Sequence, residues 1–95
     1  MSSRVISIFG SGEFQEWSEE VDRFALDRAS TGDGSVVIIP TASAPEGDDV
    51  FRSWATMGLE HYEHMGVQAR VSGLKYRADA YSEDHVAVLE GASMF

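Results

Sequence analysis

Short apolar runs along this chain have the composition of β-strands. Residues 5–9 (VISIF) and residues 35–39 (SVVII) are rich in β-branched side chains and are followed directly by glycine and by proline. Continuous runs of this kind are typical of parallel strands that are covered on both faces. Residues 67–71 instead alternate apolar and polar side chains, which predicts a third, half-exposed strand nearer an edge of the sheet. Residues 92–95 have the composition of the first residues of a fourth strand.

Between these runs, two longer segments carry apolar residues at helical spacing. The first shows helical spacing from Phe14 onward and predicts an amphipathic helix that ends near Ser30, with Ser18 as an internal start signal. Its apolar residues are Phe14, Trp17, Val21, Phe24 and Ala25. The second follows Asp48 and Asp49, either of which can cap it. Its apolar residues are Phe51, Trp54, Ala55, Gly58, Tyr62 and Met65. Gly66 then supplies the left-handed position that commonly ends a helix.

A short third helix is predicted between Ser82, which caps it, and Gly91, which ends it. The resulting β-α-β-α-β-α order predicts an α/β fold with a doubly wound, mostly parallel sheet of the flavodoxin-like type. Residues 1–95 are enough for a single domain. Because the sequence stops after the first residues of the fourth strand, we expect the N-terminal portion of a larger domain. We also expect the unpaired edge of its sheet to favour a homo-oligomer.

The chain is acidic, with 16 Asp and Glu against 7 Lys and Arg and a formal net charge of −9. This charge repels a phosphate backbone, so a nucleic-acid partner is not expected. The absence of cysteine excludes disulfides, thiolate metal sites and a cysteine nucleophile within the chain. The longest aliphatic run, residues 36–39, is far shorter than the roughly 18 residues that span a membrane. We therefore expect a cytoplasmic protein without a membrane partner.

Two polar loops follow the first two strands and are expected to meet at the carboxyl edge of the sheet. The residues there that could bind a ligand are Gly10, Ser11, Gly12, Glu13, Thr41 and Ser43. Backbone N–H groups and hydroxyls can hold a small ligand, and the alternative is that both loops are simple turns. Gln15 replaces the third glycine of the dinucleotide-binding fingerprint, so a nucleotide binder is the weakest alternative and no cofactor is predicted.

Two further patterns bear on catalysis and metal binding. His61 and His64 lie three residues apart, a spacing that lets two imidazoles meet one metal ion. The same positions fall on the polar side of the predicted helix, so surface histidines are the alternative and no metal site is predicted. The G-x-S-x-G turn that holds the serine nucleophile of α/β hydrolases does not occur. No catalytic residue is therefore assigned within the chain.

Three stretches carry a likeness to a known family: residues 5–14 (VISIFGSGEF), residues 36–43 (VVIIPTAS) and residues 89–95 (LEGASMF). Together they resemble the N-terminal part of the cyanophycinase and aspartyl dipeptidase family of serine peptidases, whose fold is class I glutamine amidotransferase-like. The most specific element is the apolar strand that runs into Pro-Thr-Ala-Ser. In the first stretch, Ser11 stands where many relatives have another glycine.

The resemblance implies a serine hydrolase that cuts peptide bonds in acidic or otherwise unusual substrates, with a small peptide or an amino-acid-like molecule as its substrate. In that family, the segment similar to residues 92–95 leads into a Gly-Gly loop that supplies the oxyanion hole. The nucleophilic serine and its histidine follow later, and these parts do not occur in this sequence. The chain would then contribute scaffold and the rim of the site, through residues 10–14 and 41–43. The alternative is a non-catalytic α/β module for binding or oligomerisation.

Overall fold

The computed structural model describes residues 3–9 and 12–95, which form a small mixed α/β fold. The α-helices are α1 (Ser18–Asp27), α2 (Asp48–His64) and α3 (Glu83–Ala87), and the strands are β1 (Val36–Ile38) and β2 (Ala69–Val71). Short 3-10 helices cover Thr41–Glu46 and Arg77–Tyr81. β1 and β2 pair in parallel, with Val36 opposite Ala69 and Ile38 opposite Val71. The α/β class and the position of both strands are as the apolar pattern predicted.

Two more segments extend this pair into a row of four parallel segments. Met94 forms parallel bridges with both Val5 and Val36. The order across the row is therefore residues 5–7, residues 93–95, β1 and β2. Backbone hydrogen bonds of 2.8–3.3 Å join residues 93–95 to both neighbours. The fourth run, predicted as the first residues of a strand, therefore lies inside the sheet, and residues 5–7 lie at its edge.

The hydrophobic core lies between α2 and one face of the sheet. α2 buries the predicted apolar line and begins at Asp48, directly after Gly47. Its close approach to β1 requires Gly58, because a Cβ atom at that position would lie 2.7 Å from Ile38 Cδ1. The buried core residues, none more than 6% exposed, are Val36, Ile38, Tyr62, Met65 and Met94.

The buried face of α1 differs from the predicted one. The helix begins at Ser18 as expected and ends at Asp27, but it buries Ser18 and Asp22. Trp17 and Phe24 are each 58% exposed. Phe14 and Ala25 pack against the core as predicted, and the Asp22 carboxylate also turns inward because side chains of α2 hydrogen-bond to it. An apolar periodicity cannot detect a polar contact of this kind.

Arg70, in the middle of β2, ties the sheet to the segment that follows α3. Its Nε donates to the Val88 carbonyl at 2.6 Å, and its Nη1 donates to Ser35 Oγ at 2.9 Å. Its Nη2 donates to the Glu90 carbonyl at 2.5 Å. Carbonyls at the end of a helix have no partner within the helix, and a guanidinium can satisfy several of them at once. This contact guides the chain from α3 towards its central place in the sheet.

The turn between α1 and β1 forms hydrogen bonds with residues 91–93, where the chain enters the middle of the sheet. Gly34 N–H donates to Ser93 Oγ at 2.8 Å, and Asp33 N–H donates to the Gly91 carbonyl at 2.8 Å. Hydrogen bonds from Ser35 hold the pKa of Asp33 below its ordinary value, which keeps this carboxylate available as an acceptor within the turn. The turn therefore positions residues 91–93.

Gly32 and Gly34 provide a matched test of how closely the turn approaches Ser93. Both have positive φ angles, of 97° and 88°, so alanine is strained at either position. A Cβ atom at Gly32 would lie 2.5 Å from Ser93 Oγ and 2.7 Å from Ser93 N, whereas one at Gly34 would point into open space. We expect Gly32→Ala to lower the free energy of unfolding by about 2 kcal/mol more than Gly34→Ala, because only Gly32→Ala adds a clash. Urea unfolding of both variants measures the difference, and equal losses would contradict the prediction.

Candidate functional site

An open cleft of about 500 Å³ lies at the carboxyl ends of the parallel segments. Residues 6–9, residues 37–40 and Phe95 contribute to it, and these come from three neighbouring segments of the sheet. In folds with parallel strands, ligands bind outside the carboxyl ends of the strands, because the connecting loops converge there. The cleft therefore occupies the place where the sequence predicted a site.

The cleft spans the carboxyl end of the sheet, where Ile38 and Trp54 line it from the side that packs on α2 and residues of the opposite face also line it. Side chains alternate along a strand, so Val37 and Ile39 project away from the face whose residues form the core. Ile6 and Ile8 line the same cleft and are 72% and 89% exposed. Isoleucine side chains left this open in a small protein mark a surface that can bind another molecule.

The 3-10 helix Thr41–Glu46 forms one side of the rim. Ser43 is buried and lines the cleft, and its hydroxyl donates to the Pro40 carbonyl at 2.7 Å. Thr41 is not a lining residue, and its hydroxyl donates to the Leu74 carbonyl at 2.5 Å. Both hydroxyl protons therefore stabilise the loop. The Ser43 oxygen retains a lone pair for a donor on a ligand.

The other side of the rim is the loop before α1. Of the residues predicted there, Gly10 and Ser11 lie outside the described residues. Gly12 has φ 75° and packs against Trp17, where a Cβ atom would lie 2.8 Å from Cζ2. Phe14 has φ 62°, which a bulky residue rarely adopts. This turn presents Glu13 and Phe14 to the cleft.

Glu13 is the most unusual residue at the rim. Its Oε2 atom is shut off from solvent and has no hydrogen-bond partner in the described structure. Removing a carboxylate oxygen from water without a replacement donor costs free energy, and such groups are rare in folded proteins. Sequence analysis selected Glu13 only as part of the loop, and this unsatisfied oxygen now distinguishes it from its neighbours.

The charge of the cleft is negative. Glu13 and Glu46 line it, and no lysine, arginine or histidine of the described residues does so. Since Ser43 bonds to a backbone carbonyl and no imidazole lies in the cleft lining, the described residues do not form a serine–histidine pair there. The arrangement is suited to binding, with Glu13 as an acceptor of hydrogen bonds.

A second polar cluster, which sequence analysis missed, is buried between α1 and α2. His61 Nε2 lies 2.7 Å from Asp22 Oδ2, and the two side chains are only 7% and 1% exposed. Tyr62 donates its hydroxyl to Asp22 Oδ1 at 3.2 Å, and the Phe14 ring packs against the His61 and Tyr62 rings. The prediction that His61 is a surface residue is therefore wrong. A usable signal was the helical spacing of the short side chains Ser18, Asp22 and Ala25, which allows close contact between helices.

The metal-binding alternative for His61 and His64 gains no support from this geometry. His61 forms a hydrogen bond with Asp22, and His64 is exposed on the outer side of α2. Among residues 3–9 and 12–95, no group of three or more histidine or acidic side chains is placed to hold a metal ion.

Comparisons with known proteins were made with family models, curated proteins and solved structures, and none of them matches this chain. Within the described residues, no helix is both long and apolar enough to cross a membrane.

Because Tyr62 belongs to this buried cluster, we expect the free energy of unfolding to fall at alkaline pH. Burial, and next the Asp22 carboxylate, raise the pKa of Tyr62 well above its ordinary value of 10.0. Below pH 10 the tyrosine is neutral in both the folded and the unfolded state, so its contribution to stability is fully present. Above that pH only the unfolded tyrosine ionises, so stability falls as the pH rises.

We expect Tyr62→Phe to remove this part of the decline between pH 9 and pH 11, because phenylalanine cannot ionise. The control is Tyr76→Phe, since Tyr76 is 73% exposed and should leave the decline unchanged. Urea unfolding at each pH measures both variants. The prediction fails if Tyr62→Phe loses stability with pH as steeply as the control.

Proposed function

We propose that this chain forms the scaffold and the substrate-binding side of a serine hydrolase of the cyanophycinase and aspartyl dipeptidase type. One observation carries the proposal: the three stretches that resemble this family meet at one cleft. Residues 5–14, residues 36–43 and Phe95 supply every lining residue except Glu46 and Trp54. Each of the three stretches therefore contributes side chains to the same candidate site.

The location of the cleft adds support. On this proposal the four parallel segments belong to a doubly wound, flavodoxin-like sheet, in which substrates bind beyond the carboxyl ends of the strands. A volume of about 500 Å³ suits a small peptide or an amino-acid-like substrate. The Ser43 hydroxyl oxygen and the Glu13 carboxylate are the acceptors that would orient it.

The bond-breaking groups are assigned by this proposal to a part of the protein beyond these 95 residues. Acyl transfer needs a serine on a strained turn, a histidine that takes its proton and donors for the oxyanion. The G-x-S-x-G turn is missing from the sequence, and among the described residues no histidine lines the cleft.

The decisive experiment is the intact mass of the protein as its native cell makes it, together with peptide sequencing past Phe95. We expect a mass well above 10.4 kDa and, downstream, a Gly-Gly loop and a serine turn. A native mass of 10.4 kDa would overturn the hydrolase proposal, because the groups that break the bond would then be missing.

In the complete protein, blocking the cleft should impair peptide hydrolysis. Ala42 is exposed at the rim, so Ala42→Trp is expected to fill part of the cleft and to lower kcat/KM by at least about tenfold, which corresponds to about 1.4 kcal/mol. Ala78→Trp is the matched control, because Ala78 is exposed on the other 3-10 helix, Arg77–Tyr81. Equal activity of the two variants would count against the cleft as the substrate site.

A second candidate function, self-association through the sheet edge, is favoured by a separate observation. Residues 5–7 pair with residues 93–95 on one side only, and the Ile6 and Ile8 backbone groups make no backbone hydrogen bond within the described structure. The edge carries no charge between residues 5 and 9, although proteins commonly place charges or proline there to prevent pairing. Two copies related by a two-fold axis could join these edges in antiparallel pairing.

Sedimentation equilibrium of the 95-residue chain tests this second function. We expect a dimer that tightens with added salt, since salt screens the repulsion between two chains of net charge −9. Ile8→Lys should weaken the dimer by at least about tenfold, because it places a charge on the pairing edge. Val86→Lys, on the exposed side of α3, should leave it unchanged. A mass of 10.4 kDa at every concentration would exclude this function.

A further inference from the structure

The cleft combines negative charge with an apolar lining. Glu13 and Glu46 are its ionisable residues, and in the described part of the chain no basic side chain lines it. Most of the remaining lining is apolar, and it includes the aromatic rings of Phe9, Phe14 and Trp54. A concave surface of one charge with low-dielectric walls concentrates its field and raises the local concentration of the opposite charge. Such a cleft favours a ligand that carries a positive charge on an apolar body.

The unsatisfied Glu13 oxygen points to the kind of group that is missing. Two carboxylates contrast in environment: the buried Asp22 contacts both His61 and Tyr62, whereas Glu13 is partly exposed and its solvent-shielded Oε2 atom has no partner in the described structure. A carboxylate in this state is stabilised by any donor that reaches it, and most by a charged one. A cationic ligand that reaches Glu13 would supply the missing donor.

The chain's own cations do not fill this role, because six of its seven basic side chains contact other groups. Arg77, the seventh, lies in the 3-10 helix Arg77–Tyr81 and does not line the cleft. The other six are Arg4, Arg23, Arg28, Arg52, Arg70 and Lys75.

We propose that the cleft binds a small organic cation, a protonated primary amine on an apolar or aromatic body, with the Glu13 carboxylate as its partner. The terminal torsion of a glutamate is broad, so the carboxylate can present an oxygen to the ammonium group without displacing its backbone. The body of the ligand packs against Trp54 and the other apolar side chains that line the cleft, and an aromatic ring also attracts the cation. This property belongs to the chain itself and does not depend on the hydrolase proposal.

Three probes of one shape test the proposal. Phenethylamine, phenethyl alcohol and hydrocinnamate share an aromatic body and are positive, neutral and negative at neutral pH. The chain contains two tryptophans, so Trp17→Phe leaves Trp54 as the sole fluorescent reporter in the cleft. We expect saturable quenching by the amine with an affinity at least about tenfold higher than for the alcohol, and the weakest binding for hydrocinnamate. Equal affinities for the three probes would overturn the proposal.

Two variants separate the role of Glu13 from a general effect of net charge. Glu13→Gln should reduce the preference for the amine by at least about tenfold. Glu83→Gln removes the same charge from the exposed start of α3 and should keep the preference. If Glu13→Gln keeps it as well, the proposal is wrong. Circular dichroism confirms that each variant is folded.

A further measurement needs no variant at Glu13. With the Trp17→Phe chain, raising the salt concentration should weaken binding of the amine and leave binding of the alcohol unchanged, because only the amine is held by charge. Amine binding that is insensitive to salt would contradict the proposal. None of these outcomes depends on the native mass of the protein, so this proposal and the hydrolase proposal can fail separately.

Discussion

The fold depends on the insertion of residues 93–95 between residues 5–7 and β1. This short segment is hydrogen-bonded on both sides, and Met94 at its centre is only 1% exposed. The Arg70 guanidinium and the turn at Gly32 each contact residues close to it. The last residues of the sequence therefore join the first ones to the middle of the sheet. Contacts between such distant residues carry a large loop-closure cost, so the sheet forms only when both ends of the chain come together.

The two faces of the sheet have different roles because they are covered unequally. α1 and α2 cover one face and form the core with it, including the buried contact between Asp22 and His61. The connection between β2 and residues 93–95 contains α3, a helix of only five residues. Five residues form only about one and a half helical turns, which cover little of the sheet surface. The carboxyl end of the sheet is left open, and Trp54 of α2 together with residues of both faces of the sheet lines the cleft there.

The carboxylates of Asp22 and Glu13 lie in different environments, one suited to stability and the other to binding. Asp22 is satisfied by two side chains from α2, so it contributes a specific contact between helices. Glu13 holds an oxygen out of water without a donor, which costs stability in the isolated chain. Such an atom calls for a physical explanation, and a bound partner that donates to it is one such explanation. Both the proposed amine ligand and the proposed substrate would bind in the cleft that Glu13 lines, at the carboxyl end of the sheet.

The sequence by itself determined the α/β class, the buried β1 and the packed face of α2, because each depends on local periodicity and on glycine or proline at the boundaries. It also predicted Glu13 and Ser43 as candidate ligand-binding residues, since loops after parallel strands meet at one edge of the sheet. Only the tertiary structure decided that the final segment lies inside the sheet, that α1 packs through Asp22, and that the Thr41 and Ser43 hydroxyls bond to backbone carbonyls. These features depend on partners far apart in the chain, and a local pattern of apolar and polar residues carries no information about which distant group satisfies a polar atom.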